Sequence, residues 1–494
     1  MFVRRWPLRR AGLAAAAVSI AVYFLYFNAP SLRARFTPDD LMNCHMAWSR
    51  PTSALLADNV LFWRPTPVYR PLGALAYKLS FLASGFDLTA LRLLLLGVLG
   101  AAVWLTYALA RRLSGSQEAG VLAALLAAYH GNTAHLLYNT GTLYDIFCLA
   151  SYLAAITYYV RLRQRGGPAS LCQAAVFGAL VVLSLNSKEM AVSLAPMALL
   201  FDVLFHPPRG KRPSEVARWA FTEAGLAVAG CLLTAGWLVG RVFGPDSVSA
   251  QAGYRLAISL TRYFEGTAHF FDQLFYSAGT RTGAGAFLIL AGLLAAALLV
   301  RSRALVWCWL LFVCGILPLA FLTSPRGLDA AVIPLAGLWM YAATLAVRLR
   351  EALVSLAGRS ASAPWGRRLA AASRVVLFVT VALLLLRIHP GSEPVYQAWV
   401  RHHYGRISFV TAQFRELYPV LPRGSRVLIV KDPFGDHTWE TFYILQLLYR
   451  DQTLVVNQLG MMHPKPDRAA LASYDHIFSF ENGRLVELTP AREP

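Results

Sequence analysis

The chain has 494 residues, 57% of them apolar and only 15% charged, with a mean hydropathy of +0.48. Soluble domains carry about 25% charged residues, so these values exclude an ordinary soluble protein and point to a polytopic membrane protein. The formal net charge of +20 does not make a nucleic-acid binder, because the basic residues fall in short clusters between apolar runs rather than on one solvated face.

In chain order, Arg4-Arg5 and Arg9-Arg10 precede an apolar run, Ala11 to Phe27. With no small-residue cleavage site after it, this run reads as a retained first span. Runs of about 20 apolar residues near 11–29, 91–110, 119–137, 143–160, 171–186, 190–205, 219–242, 284–300, 304–322, 327–346 and 370–388 predict about eleven transmembrane helices. With the N-terminus cytoplasmic, the inside loops hold Arg111-Arg112, Arg161, Arg163, Arg165, Arg209, Lys211, Arg212, Arg301, Arg303, Arg348, Arg350, Arg359, Arg367 and Arg368. Every inside turn is then basic, which supports both span count and orientation. The expected location is a cell (cytoplasmic) membrane, with the outer loops and the C-terminal part extracytoplasmic.

Two outer loops carry helical patterns. Val68 to Ala83 is apolar but punctuated by Arg70, Pro71 and Lys78, which predicts a helix lying at the interface. Leu256, Leu260, Tyr263, Phe264, Phe271 and Leu274 recur at near-helical spacing, as in an interfacial amphipathic helix or one packed on neighbouring loops. After His389 the composition turns polar. Strands at 426–430, 453–457, 474–480 and 484–488 around a helix at 438–450 predict a small α/β domain over 390–494, following a transmembrane domain over 1–389. The turn Asp432 to His437 lies at the end of the first strand but matches no phosphate-binding fingerprint.

The chemistry gathers on the outer side. Asp39-Asp40 follows the first span: such a pair either takes a proton from an acceptor group, or shares a divalent cation such as Mg or Mn, or caps a helix that begins Thr37-Pro38. Trp63, Tyr69 and Arg70 share one loop, where the aromatic residues suit membrane anchoring and the guanidinium suits phosphate. Lys188-Glu189 sits where two spans meet, either as a functional pair or as a local pair closing the turn. Arg326 follows Ser324-Pro325 on the same side, and Asp145 closes the turn before the 143–160 span. His130 and His135 are five apart, a spacing that does not put both on one helical face for a metal. His269, His402 and His403 read as surface or packing residues. The six cysteines show no paired spacing, so neither a disulfide framework nor a zinc site is read.

An acidic pair after the first span, Tyr69-Arg70-Pro71-Leu72 before the second, and Ser187-Lys188-Glu189-Met190 before a run reaching Pro196 occur in that order. Over residues 10 to 345 this resembles the GT-C class of integral membrane glycosyltransferases, most closely bacterial relatives of protein O-mannosyltransferases and of the transmembrane-and-tetratricopeptide-repeat O-mannosyltransferases. The resemblance implies a GT-C-like fold and inverting transfer of a sugar from a polyprenyl-phosphate donor to a protein, lipid or glycan acceptor. It implies Asp39 as general base with Asp40 its partner, and Arg70, Lys188 and Arg326 on the lipid phosphate. Glu189 would hold Lys188, with Tyr69, Trp63 and Asp145 in support. Transfer of a whole lipid-linked glycan, a non-enzymatic lipid or solute transporter, and an inactive scaffold presenting the C-terminal domain are the alternatives.

Overall fold

Long apolar runs become helices because a helix satisfies its own backbone groups where no water can. The computed structural model describes residues 6–63, 70–242, 256–277, 279–358, 363–389, 393–435 and 438–488. The order is α1 (Trp6–Asn28), α2 (Pro38–Trp48), α3 (Thr52–Val60), α4 (Pro71–Ser84), α5 (Thr89–Ser114), α6 (Gln117–Ala128), α7 (His135–Tyr138), α8 (Leu143–Arg165), α9 (Leu171–Ser187) and α10 (Leu194–Phe205). There follow α11 (Pro213–Thr222), α12 (Gly225–Val242), α13 (Leu260–Leu274), α14 (Gly283–Leu299), α15 (Arg303–Ala320), α16 (Val332–Gly358), α17 (Ala363–Ile388), α18 (Glu393–Leu417), α19 (Glu440–Tyr449) and α20 (Arg468–Leu471).

Each predicted span holds a helix, but not all are full length. Among the described residues, six are long and apolar enough to cross a membrane: Ala11–Arg33, Thr89–Ser114, Thr140–Arg165, Arg303–Ala320, Leu328–Ala357 and Arg368–Ile388. The run expected at 219–242 begins with a bend of 81° between α11 and α12, which together make a seventh. α9 and α14 have 17 residues, and α6 and α10 have 12. At 1.5 Å per residue even 17 residues reach only about 26 Å, against a hydrocarbon core of about 30 Å. α6 is followed by the irregular stretch around His130–Asn139, and α9 and α10 are separated by the turn at Lys188–Ser193. α17 has none of its apolar window buried in the protein. A helix apolar all round and unburied needs lipid as its other half.

The helix expected at 68–83 forms as α4, yet Tyr77 and Phe81 are buried and α4 packs on α2, α3, α8 and α9. It is therefore packed against other helices on at least one face. α13 buries Tyr263, Phe270, Phe271 and Leu274 against α14 and α15, while Leu256, Ile258 and Leu260 stay 55%, 76% and 78% exposed. Its apolar pattern thus divides between protein and surroundings.

The C-terminal sheet has β1 (Arg426–Ile429), β2 (Val455–Gln458), β3 (His476–Glu481) and β4 (Arg484–Glu487), in the order β2-β1-β3-β4. β1 is parallel to β2 and β3, and β4 is antiparallel to β3. Phe414 of α18 packs edge-on to Phe478. This unit rests on α2: His45 shares a hydrogen bond of 2.6 Å with Gln446 of α19, and the Tyr404 hydroxyl donates to the Tyr138 carbonyl. Asp432 accepts from Phe434 N and from Gln458 Nε2, so its described contacts are those of a turn former. Residues 436–437 of that turn lie outside the described residues.

α4 approaches α8 at Gly73, where an added Cβ would fall 2.2 Å from the Tyr144 ring. Gly73→Ala is expected to lower stability by about 1–3 kcal/mol through overpacking, read as the thermal unfolding midpoint in detergent; an unchanged midpoint would contradict this packing.

Candidate active site

The site is built on the N-terminus of α2. Thr37 is its N-cap in a reciprocal box: Asp40 N donates to Thr37 Oγ1 and Thr37 N donates to Asp40 Oδ2 at 2.8 Å. Asp40 also accepts from Thr140 Oγ1 at 2.6 Å and pairs with Arg92 Nη2 at 3.4 Å. Asp40 is 0% and Arg92 1% exposed. Burial pushes the Asp40 carboxyl above its ordinary range, with Arg92 and the hydroxyl donors pulling it back. Arg92 further donates to the carbonyls of Arg35 and Tyr138, tying the first loop to the turn after α7.

One residue earlier, Asp39 is exposed. Its Oδ2 accepts from Asn139 Nδ2 at 2.8 Å. Asn139 is itself buried and fixed, accepting from Thr37 Oγ1 and Gly141 N and donating to His135 Nε2. A Cβ on Gly141 would meet Asp39 Cβ at 3.0 Å, so the bare glycine lets this turn lie against Asp39. The adjacent carboxylates therefore serve opposite ends: one anchors the helix and the other faces out. They do not present oxygens to a common point. Among the described residues no group of three or more His, Cys, Asp or Glu could hold a metal ion, so no step is drawn through one.

The basic half comes from the break between α9 and α10. α9 ends at Ser187, and Lys188 is extended (φ −160°, ψ 148°) before the turn Glu189–Ser193. Successive side chains on extended backbone point apart. Lys188 accordingly reaches Asp145 of α8, Nζ to Oδ1 2.5 Å, and is 8% exposed. Glu189 instead takes Arg70 in a two-pronged pair, Nη2–Oε1 2.6 Å and Nε–Oε2 3.1 Å. This corrects the expectation that Glu189 holds Lys188: Asp145 does so, and Glu189 holds Arg70. All four charges act on the buried Cys148 sulfur, which marks them as one cluster.

A relay joins the halves. Asn43, one turn after Asp39, donates to the Asp39 carbonyl at 2.8 Å and accepts from the Tyr144 hydroxyl at 2.8 Å. The Tyr144 ring lies 5.3 Å from the Arg70 guanidinium carbon. Asp329, in the 3-10 turn Leu328–Ala331, is within electrostatic reach of Asp145. Arg326 sits half-buried just before that turn. Trp63 is 52% exposed and packs edge-on against Phe62, as an anchor would. Tyr69 lies outside the described residues. His130 stacks on Tyr276 and bonds the Leu274 carbonyl, and burial lowers its pKa to about 4. His269 bonds Gln273, while the side chains of His402 and His403 lie outside the described ones. All six cysteines are free thiols. Arg92, Asn43, Asn139, Tyr144 and Asp329 were not among the sequence candidates. A charge inside the apolar run at 91–110 was the signal for Arg92.

Two outcomes are expected. Asp40→Ala leaves Arg92 buried without its counter-ion and should cost about 3–5 kcal/mol, whereas Asp39→Asn should change stability by about 0.5 kcal/mol or less; thermal unfolding of both separates them. Burial tends to raise the Glu189 pKa, but the Arg70 guanidinium outweighs it and holds the carboxyl at about 2, against an ordinary 4.5. The stabilisation is then fully present above pH 4.5 and is lost as pH falls toward 2. The stability gap between wild type and Glu189→Gln should be flat from pH 7 to 5 and shrink only below that.

Residues 65–237 match the family of dolichyl-phosphate-mannose-protein mannosyltransferases. Among curated proteins none matches the chain. Among solved structures, the chain is similar to ArnT from Cupriavidus metallidurans bound to undecaprenyl phosphate, at 14% identity and TM-score 0.51, over 98% of each chain. It is also similar to the archaeal oligosaccharyltransferase AglB from Archaeoglobus fulgidus in complex with an inhibitory peptide and a dolichol-phosphate, at 13% identity and TM-score 0.51, over 96% of this chain and 70% of that one. At these identities the structural likeness is one of fold. The chain is thus a multi-helix protein with apolar spans whose fold resembles that of these two proteins, and the family match covers residues 65–237 of it.

Proposed function

We propose that the protein transfers a sugar from a polyprenyl-phosphate-linked donor to an acceptor on the extracytoplasmic face. The observation that carries this reading is the relay from the exposed Asp39 through Asn43 and Tyr144 to Arg70 and its cluster. These contacts support the reading by joining the helix that carries Asp39 to the residues around Arg70.

Asp39 accepts the proton of the acceptor hydroxyl through Oδ1, since Asn139 holds Oδ2. The acceptor oxygen then bonds the anomeric carbon from the face opposite the phosphate, and the carbon–oxygen bond to the phosphate breaks with inversion. The polyprenyl phosphate leaves with the electron pair. The Arg70–Lys188–Glu189–Asp145 cluster is charge-balanced, so what it offers is oriented donors rather than net charge. Arg70 gives two N–H groups to Glu189 and Lys188 gives one to Asp145, so both cations are held in fixed directions. Fixed cationic donors of this kind suit a phosphate whose charge grows as the bond breaks, with Arg326 as a third contact. Asp40, buried under its cap, supports this by fixing α2. AglB is an oligosaccharyltransferase, and the same groups would serve a whole lipid-linked glycan; paired mono- and oligosaccharide lipid donors distinguish the two.

Purified protein carrying Asp39→Asn is expected to lose roughly 100-fold or more of its transfer from a lipid-phosphate sugar, the scale of one acid–base group, while eluting as the folded protein. Lys188→Ala, which leaves the buried Asp145 without its counter-ion, is expected to lose as much with a lowered unfolding midpoint. Retained transfer in both would sink the assignment. The proposed orientation puts the exposed Cys172 at the cytoplasmic start of α9. A membrane-impermeant thiol reagent should label it in inverted vesicles and not in intact cells; the reverse pattern would invert the topology.

A further inference from the structure

A pocket lies against the Asp40–Arg92 pair, with Arg92 in its lining. It encloses about 470 Å3, within the roughly 300–1,000 Å3 of small-ligand sites. Three parts of the chain meet there: the loop 32–36 after α1, the α4–α5 turn 86–92, and α18 from Ile407 to Arg415. Arg33, Arg35, Arg92 and Arg415 line it, against a single acid, Asp87.

Arg92 is already committed to Asp40, but Arg33, Arg35 and Arg415 form no ion pair among the described residues, and all three are exposed. Asp87 does not neutralise them. It is turned to its own helix start, accepting from Thr89 N at 2.8 Å, and the Thr89 contacts hold its carboxyl below the usual range. The wall is aromatic: Phe36 and Phe86 lie 4.9 Å apart, and the Arg415 guanidinium sits 5.6 Å from the Phe86 ring centroid. Like charges gathered round one cavity repel unless an anion joins them, and the positive-inside rule gives no reason for basic residues on this side. Guanidinium forks match phosphate and carboxylate, and an aromatic wall suits the carbon face of a sugar.

We infer that this pocket binds an anionic sugar group, bearing phosphate or carboxylate, of the acceptor. The inference rests on the proposed transfer reaction for the word acceptor, but not for the anion. Phe36 lines the pocket and is three residues from Asp39, a backbone span of at most about 11 Å. An acceptor anchored there by its charge extends a neighbouring sugar toward the base. Because α18 supplies one wall, the C-terminal unit takes part in choosing the acceptor.

The full-length protein in zwitterionic nanodiscs is titrated calorimetrically with inorganic phosphate, glucose 6-phosphate, glucuronate and neutral glucose. The anionic sugars should bind at least roughly tenfold tighter than glucose, and Arg33→Gln/Arg35→Gln/Arg415→Gln should lose at least that factor, the scale of one charged hydrogen bond. Thermal unfolding checks the variant's fold, and Arg415→Gln alone, on the exposed face of α18, should show part of the loss if the triple variant does not fold. Equal affinity for glucose, or undiminished anion binding in the variants, overturns the pocket. Inorganic phosphate binding as tightly as glucose 6-phosphate overturns the sugar part and leaves a free-anion site. In transfer assays the triple variant should raise KM for an anionic acceptor and leave KM for its neutral analogue unchanged. If no donor supports transfer at all, the proposed reaction falls while the calorimetry still decides the pocket.

Discussion

The buried pair of Asp40 and Arg92 is the contact on which the outer face depends. A guanidinium and a carboxylate out of water cost several kcal/mol in desolvation, so such a pair contributes little net stability. What it contributes is position. Arg92 gathers Asp40, the Arg35 carbonyl and the Tyr138 carbonyl around one cation, which fixes the start of α2 against both the first loop and the turn after α7. Asp39 then has one direction left to it, outward beside Asn139.

From that fixed start, α2 organises two neighbourhoods. Its Asn43 face meets Tyr144 and, through it, Arg70 and the break between α9 and α10. Its far end meets the C-terminal unit through His45 and Gln446, and Lys78 of α4 closes the end of the helix by donating to the Trp48 carbonyl at 2.9 Å. One short helix therefore connects the apolar helices, the charged cluster and the C-terminal unit. A shift of α2 would be felt in all three, which is why its cap is buried and fully bonded rather than solvated.

The short helices serve the same end. α6 and α9 stop early and hand the chain to turns that carry Asn139 and Lys188, so the irregular backbone lies at helix ends where protein can satisfy it. The extended residue at Lys188 is the consequential one. It sends two neighbouring charges in opposite directions and gives each a partner from a different part of the chain, Asp145 for Lys188 and Arg70 for Glu189.

Composition and hydropathy determined the membrane class and the position of the helix in each apolar run, because these follow from burial in lipid, a local property of the chain, whereas α3 and α18 had no such signal. The strands of the C-terminal unit were legible for the same reason, within two residues or so of where they form. Asp39, Asp40, Arg70, Lys188 and Glu189 could be named from the sequence, but not who holds whom. The cap reading of Asp39-Asp40 belongs to Asp40, and Asp39 is left exposed, since a helix start rotates successive side chains by about 100° and only one of the two can face the core. Asn139 and Tyr144 gave no signal, being ordinary polar residues until a fold brings them 100 and 101 positions along the chain to Asp39 and Asn43. Pairing of charges is a property of distance in space, and the tertiary structure alone decided it.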